Sequence, residues 1–165
     1  MSLLKIKFTI ESVLENIEWV CHAVKGIYSE YPFEQKEPCL PIDTIIAEAV
    51  TNAIKHAYKN QDGHEVEIIV EKLDKGMAFK VCDWGVSINP QVLIEKDVPV
   101  AFEVTSKGIE FNISATRPIE VDPLMVSGRG LNWICLFFDE VTYYTDDKMN
   151  VLYMFNFFTT PDELK

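Results

Sequence analysis

Ala47-Glu48-Ala49-Val50-Thr51-Asn52-Ala53-Ile54-Lys55-His56-Ala57-Tyr58 carries apolar residues at helical spacing with polar ones between them. With Ile45 and Ile46 in front, the apolar stripe runs through Ala49, Val50, Ala53, Ile54 and Ala57, at steps of three and four. Pro41, a favoured first-turn residue, opens this helix, which should run to about residue 59. Glu48, Asn52 and His56 stand at i, i+4 and i+8, so they form one polar row beside the stripe. A glutamate can orient or deprotonate a hydroxyl, and an asparagine oxygen can ligate a hard cation such as Mg²⁺. An ordinary solvated helix face is the plainer alternative. Asn is, however, a poor helix-interior residue and needs a reason to be there.

Working outward, residues 5–10 alternate as a half-buried strand, and residues 11–31 have the spacing of a first helix, ended by Pro32. After Asp62-Gly63, residues 65–71 and 77–82 read as two strands joined by a hairpin at Asp74-Lys75-Gly76. Residues 86–127 hold Pro90, Pro99, Pro118 and Pro123 and no sustained period, which suggests a mobile lid with a helical turn at 91–95. A third helix at about 129–138 and strands at 140–145 and 150–158 complete the chain. The order β-α-α-β-β-lid-α-β-β predicts one α+β sandwich domain over residues 1–165, with no repeat and no second domain.

Composition narrows the classes. The 165 residues include 48% hydrophobic residues, enough for a core, and 15 Lys+Arg against 26 Asp+Glu give a net charge of −11. This acidic chain has no basic cluster to replace the counterions of nucleic acid, and no apolar run long enough for a membrane span. No secretory signal is visible, and Cys21, Cys39, Cys82 and Cys135 form no CxxC, so reduced cysteines in a cytoplasmic protein are expected. His22, His56 and His64 add no metal-binding pattern.

Two further motifs offer chemistry. Asp83-Trp84-Gly85 ends a strand, where a carboxylate can accept from an amino group and Gly85 lets the chain pass close to a ligand; a plain turn is the alternative. Ser127-Gly128-Arg129-Gly130-Leu131 opens a helix, so its amides and the helix dipole make an anion site, unless it is only a hinge. It is not a dinucleotide fingerprint, since Trp133 stands where the third glycine belongs, and no GxxxxGK[ST] occurs.

Together, in this order, the three motifs resemble the N, G1 and G2 boxes of the GHKL ATPases, and most of all those of the anti-sigma-factor serine/threonine kinases. Residues 138–143 resemble that family's tail as well. The resemblance implies a histidine-kinase-like ATPase fold: a mixed, mostly antiparallel sheet with helices on one face. It implies ATP and Mg²⁺ as cofactors. Asn52 would ligate the metal, Glu48 would act as base on a serine hydroxyl, and His56 would lie at the nucleotide site. Asp83 would accept from the adenine amine, with Gly85 shaping the pocket, and Gly128, Arg129, Gly130 and Leu131 would line the phosphates. The implied partners are an anti-anti-sigma protein as substrate, a sigma factor held inactive, and a second copy in a homodimer. Apolar groups at Tyr153, Phe155, Phe157 and Phe158 on the last strand suit such a dimer.

The chain departs from the family pattern at Ser87, where many relatives have a glycine. It departs again at Met149-Asn150, where they have Gly-Thr, and in the length of the lid. A nucleotide-responsive binding regulator without phosphotransfer is the alternative reading. A histidine kinase fits less well, because Glu18-Trp19-Val20-Cys21-His22-Ala23 does not look like a phosphoacceptor site.

Overall fold

The computed structural model describes residues 4–33, 40–95, 100–112 and 130–159. Alternation at the start of the chain becomes β1 (Leu4–Glu11), whose Ile6, Phe8 and Ile10 lie opposite Val70, Ile68 and Val66 of β2 (Glu65–Lys72). A 3₁₀ turn at Leu14–Asn16 leads into α1 (Ile17–Ser29), so that helix begins six residues later than its apolar spacing suggested. The intervening Ser12 is buried and braces the approach to β2, its N–H donating to the His64 carbonyl and its hydroxyl to the Gln61 carbonyl. Then come α2 (Ile42–Asn52), β3 (Gly76–Asp83), α3 (Pro90–Glu95), β4 (Ala101–Thr105), β5 (Gly108–Asn112), α4 (Gly130–Phe137), β6 (Glu140–Asp146) and β7 (Met149–Phe157).

The seven strands form one sheet in the order β1-β2-β3-β7-β6-β5-β4. Among the described residues every ladder is antiparallel, with none of the parallel pairing that a mixed sheet would include. One face carries Ile68, Phe79, Val81, Tyr143, Leu152 and Met154 into a core shared with Val20 and Val24 of α1, Ile45, Ile46 and Val50 of α2, and Ile134 of α4. Phe79 is fully buried between Tyr28 and Phe138, with ring centroids 6.2 and 5.5 Å away. On the opposite face, Lys5 and Lys80 both pair with Glu71, and Lys7 pairs with Glu67. The helices thus cover one side of the sheet, giving the expected α+β sandwich.

The segment read as an irregular lid is the main correction. The helical turn at residues 91–95 is present as the end of α3, but β4 and β5 follow it as a hairpin that adds two strands to the sheet. Residues 113–127 of the expected lid lie outside the described residues.

Candidate functional site

The polar row on α2 does not continue as a straight helix. At Asn52 the α-helix gives way to a π-turn, Ala53–Ala57, in which the Tyr58 N–H reaches back five residues to the Ala53 carbonyl at 3.1 Å. A wider turn advances less than 100° per residue, so His56 rotates away from the line through Glu48 and Asn52. Glu48 and Asn52 are half-buried, whereas His56 is exposed. Left-handed Lys59 and Asn60 (φ 56° and 57°) then close the helix.

The π-turn points its last residues at the strand-ending motif. The Ala57 carbonyl accepts from the Val86 N–H at 3.0 Å, and the Tyr58 hydroxyl accepts from the Trp84 N–H at 2.8 Å while donating to the Glu65 carbonyl at 2.6 Å. A side chain at Gly85 would run into the Ala57 carbonyl, so only glycine allows this approach. Asp83 is buried, and its Oδ1 accepts from the Gly85 N–H at 2.9 Å and from Asn150 Nδ2 at 2.7 Å. Burial pushes the Asp83 carboxyl above the ordinary aspartate range, and these two bonds pull it back. Its other oxygen, Oδ2, has no hydrogen bond among the described residues, so it remains an acceptor for a ligand.

Just before the π-turn, along the last two turns of α2, the first residue of α4 comes close to the polar row. A methyl group on Gly130 would lie 2.5 Å from Glu48 Oε2 and 3.5 Å from Asn52 Nδ2. A carboxylate, a carboxamide and the start of a helix, whose first amides have no partner within the helix, therefore meet at one point. Leu131 is half-buried and packs on the core, while Gly128 and Arg129 lie outside the described residues. Two positions to which the sequence alone assigns no role also belong here. Asn132, two residues into α4, is buried with its Oδ1 unpartnered among the described residues, and Asn150 ties Asp83 to the strand next to it. Only the rarity of Asn in helix interiors could have flagged the first, and the second shows in the sequence only as part of Met149-Asn150, where the family has Gly-Thr.

Two cavities open among the described residues. One of about 730 Å³ lies outside the Asp83 turn, lined by Tyr58, His64, Trp84 and Gly85 among others. The larger, about 760 Å³, is remote from the motifs, between β5, β6 and the end of α4. Among the described residues, no group of three or more His, Cys, Asp or Glu is placed to hold a metal, and Cys21, Cys82 and Cys135 are buried free thiols. Burial pushes the Cys135 thiol up to about 12.

The histidine kinase-like ATPase domain family matches residues 10–155, most of the chain. The chain belongs to this family. An ATPase domain accounts for the placement of the three motifs, which the sequence scatters but the fold gathers along α2. A 53-residue stretch is also 42% identical to the anti-sigma F factor of Shouchella clausii (strain KSM-K16); it covers 32% of this chain and 36% of that relative. The residues present in this ATPase domain fit a bound nucleotide. Asp83 offers a buried acceptor to an amine, Gly85 and Gly130 leave room where a Cβ would intrude, and Asn132 holds an orphaned oxygen beside the helix start. No described helix is long and apolar enough to cross a membrane.

Proposed function

We propose that the chain is a cytoplasmic, ATP-dependent protein serine/threonine kinase and anti-sigma factor. It would phosphorylate an anti-anti-sigma protein and sequester a sigma factor, working as a homodimer. The meeting of Glu48, Asn52 and Gly130 at the start of α4 is the observation that carries this reading. The name of its relative, an anti-sigma F factor, supports the choice of partners. Tyr153, Phe155 and exposed Phe157 alternate onto the sheet face away from the helices, which supports a self-association surface.

Asp83 accepts the adenine amine, and the turn at Gly85 brings backbone against the ring. The amides opening α4, with Gly128 and Arg129 before it, hold phosphate oxygens. Asn52 offers its carboxamide oxygen to Mg²⁺, which when bound neutralises phosphate charge during transfer. Glu48 is close enough to the same point to orient a serine or threonine hydroxyl and take its proton. His56 is exposed within the π-turn, off the line of Glu48 and Asn52, and takes no part in this reading.

The experiment is phosphotransfer from labelled Mg·ATP to candidate anti-anti-sigma proteins encoded beside this chain. Wild type should transfer phosphate to one of them. Glu48→Gln should bind nucleotide within a few-fold of wild type yet transfer about 10²–10⁴ times more slowly. Wild-type transfer by Glu48→Gln would remove its catalytic role. ATP binding with no transfer to any partner would leave a nucleotide-responsive binding regulator instead.

A further inference from the structure

Asn150, the second residue of β7, is buried and uses every polar group of its side chain. Its Nδ2 donates to Asp83 Oδ1 at 2.7 Å and to the Gly85 carbonyl at 3.1 Å. Its Oδ1 accepts from the Ser87 hydroxyl at 2.6 Å and from Thr145 Oγ1 at 3.1 Å. Strand register places Asp83, Asn150 and Thr145 directly opposite one another across β3, β7 and β6, so the three project on the same face. The two positions at which the chain leaves its family's pattern, 87 and 150, are thus bonded to each other.

We propose that Asn150 is a positioning residue for base recognition, fixing Asp83 so that Oδ2 faces the ligand as an acceptor and the site prefers 6-aminopurine over 6-oxopurine nucleotides. This rests on the ATP-binding reading above and deepens it. A carboxylate held through one oxygen by two donors cannot swing, and its free oxygen keeps one direction. The Asn150 amide also favours the ionised form of Asp83, which can only accept; a protonated carboxyl could donate to a 6-oxo group and lose the distinction. A flipped amide would set its oxygen against the Asp83 carboxylate and the Gly85 carbonyl, two acceptors, so these bonds fix its orientation.

The test measures affinity for ATP and for inosine triphosphate, which differ at the six-position, by calorimetry on the full chain. Wild type should prefer ATP. Asn150→Leu, similar in size but without a donor, should weaken ATP about tenfold and leave inosine triphosphate nearly unchanged, so the preference falls about tenfold. If Asn150→Leu does not fold, Asn150→Ser carries the same expectation, because it withdraws the amide from Asp83 but keeps a polar group. Thr145→Val removes one of the two donors to Asn150 Oδ1 and should keep the preference within about twofold. A folded Asn150 variant with the wild-type preference overturns the proposal and leaves the ATP-binding reading standing. A wild type that binds neither nucleotide overturns both.

Discussion

Around the π-turn and Asp83 the polar groups are bonded to one another: Tyr58 to Trp84, Ala57 to Val86, Asp83 to Gly85 and Asn150, all between 2.7 and 3.0 Å. Around Gly130 the opposite holds. Among the described residues the side chains of Glu48 and Asn52 lie close together but make no hydrogen bond, and Asn132 keeps a buried oxygen without a partner. A buried polar group without a partner costs about 1–3 kcal/mol, so the Asn132 oxygen is a standing penalty unless something else uses it. The contrast assigns the two ends different tasks. The base end is preorganised by the fold, while the phosphate end holds polar groups ready for an ion and a charged ligand.

The contrast is most exposed at Asp83. Asp83→Asn keeps an oxygen for Gly85 and Asn150 but turns an NH₂ outward in place of Oδ2. ATP affinity should fall by about tenfold to a hundredfold, equivalent to roughly 1–3 kcal/mol, with folding intact; calorimetry beside a melting curve reads both. Unchanged affinity would break the assignment of this end to the base. The same variant has a pH signature. Burial holds the folded Asp83 carboxyl above its ordinary value of 3.8, so ionisation destabilises the fold at neutral pH. That penalty disappears as pH falls through the raised folded value towards 3.8, and any gain in melting temperature from Asp83→Asn should fade over the same window.

Tyr58→Phe attacks the preorganised end without touching a ligand group. The Trp84 N–H and the Glu65 carbonyl both lose their partner, which should cost about 2 kcal/mol and lower the melting temperature by about 4–8 °C. ATP affinity should fall with it, since the Trp84–Gly85 backbone loses its anchor. A variant as stable as wild type would mean that this end is not held by its hydrogen bonds.

The smallest effect should be a gain. Asn132→Leu replaces an orphaned buried oxygen with an apolar group of similar size. The free protein should become more stable by about 1 kcal/mol, or about 2–4 °C in a thermal melt. Its added stabilisation by saturating Mg·ATP should shrink in return. A lower melting temperature would show that Asn132 is satisfied in the free protein and would weaken the contrast between the ends.

Features that repeat over a few residues are legible in the amino-acid sequence. Ile45, Ile46, Ala49, Val50, Ala53 and Ile54 define the buried face of α2, and alternation in β1 and β2 sets Ile6, Phe8, Ile10 and Val66, Ile68, Val70 inward. The β4–β5 hairpin is written in the same code, with Phe102 and Val104 then Ile109 and Phe111 alternating around Ser106-Lys107. Five-residue runs among prolines carry too few periods to stand out, and only pairing with β6 makes them strands of this sheet.

Periodicity, motif order and the glycines at 85 and 130 are local properties, and local sterics and hydrophobic spacing are enough to place Glu48, Asn52, Asp83 and Gly130 on their elements. The π-turn that takes His56 off the row belongs to the tertiary structure, because its end is tied down by Tyr58 and Ala57 bonding to a turn 26 residues away in the first case. So does the clamp on Asp83: Asn150 is 67 residues further along and Ser87 reaches it across 63. An asparagine near the start of a strand has no local pattern that names its partner. Its role comes from the register of three antiparallel strands, which sequence periodicity can propose one at a time but only a folded sheet can align.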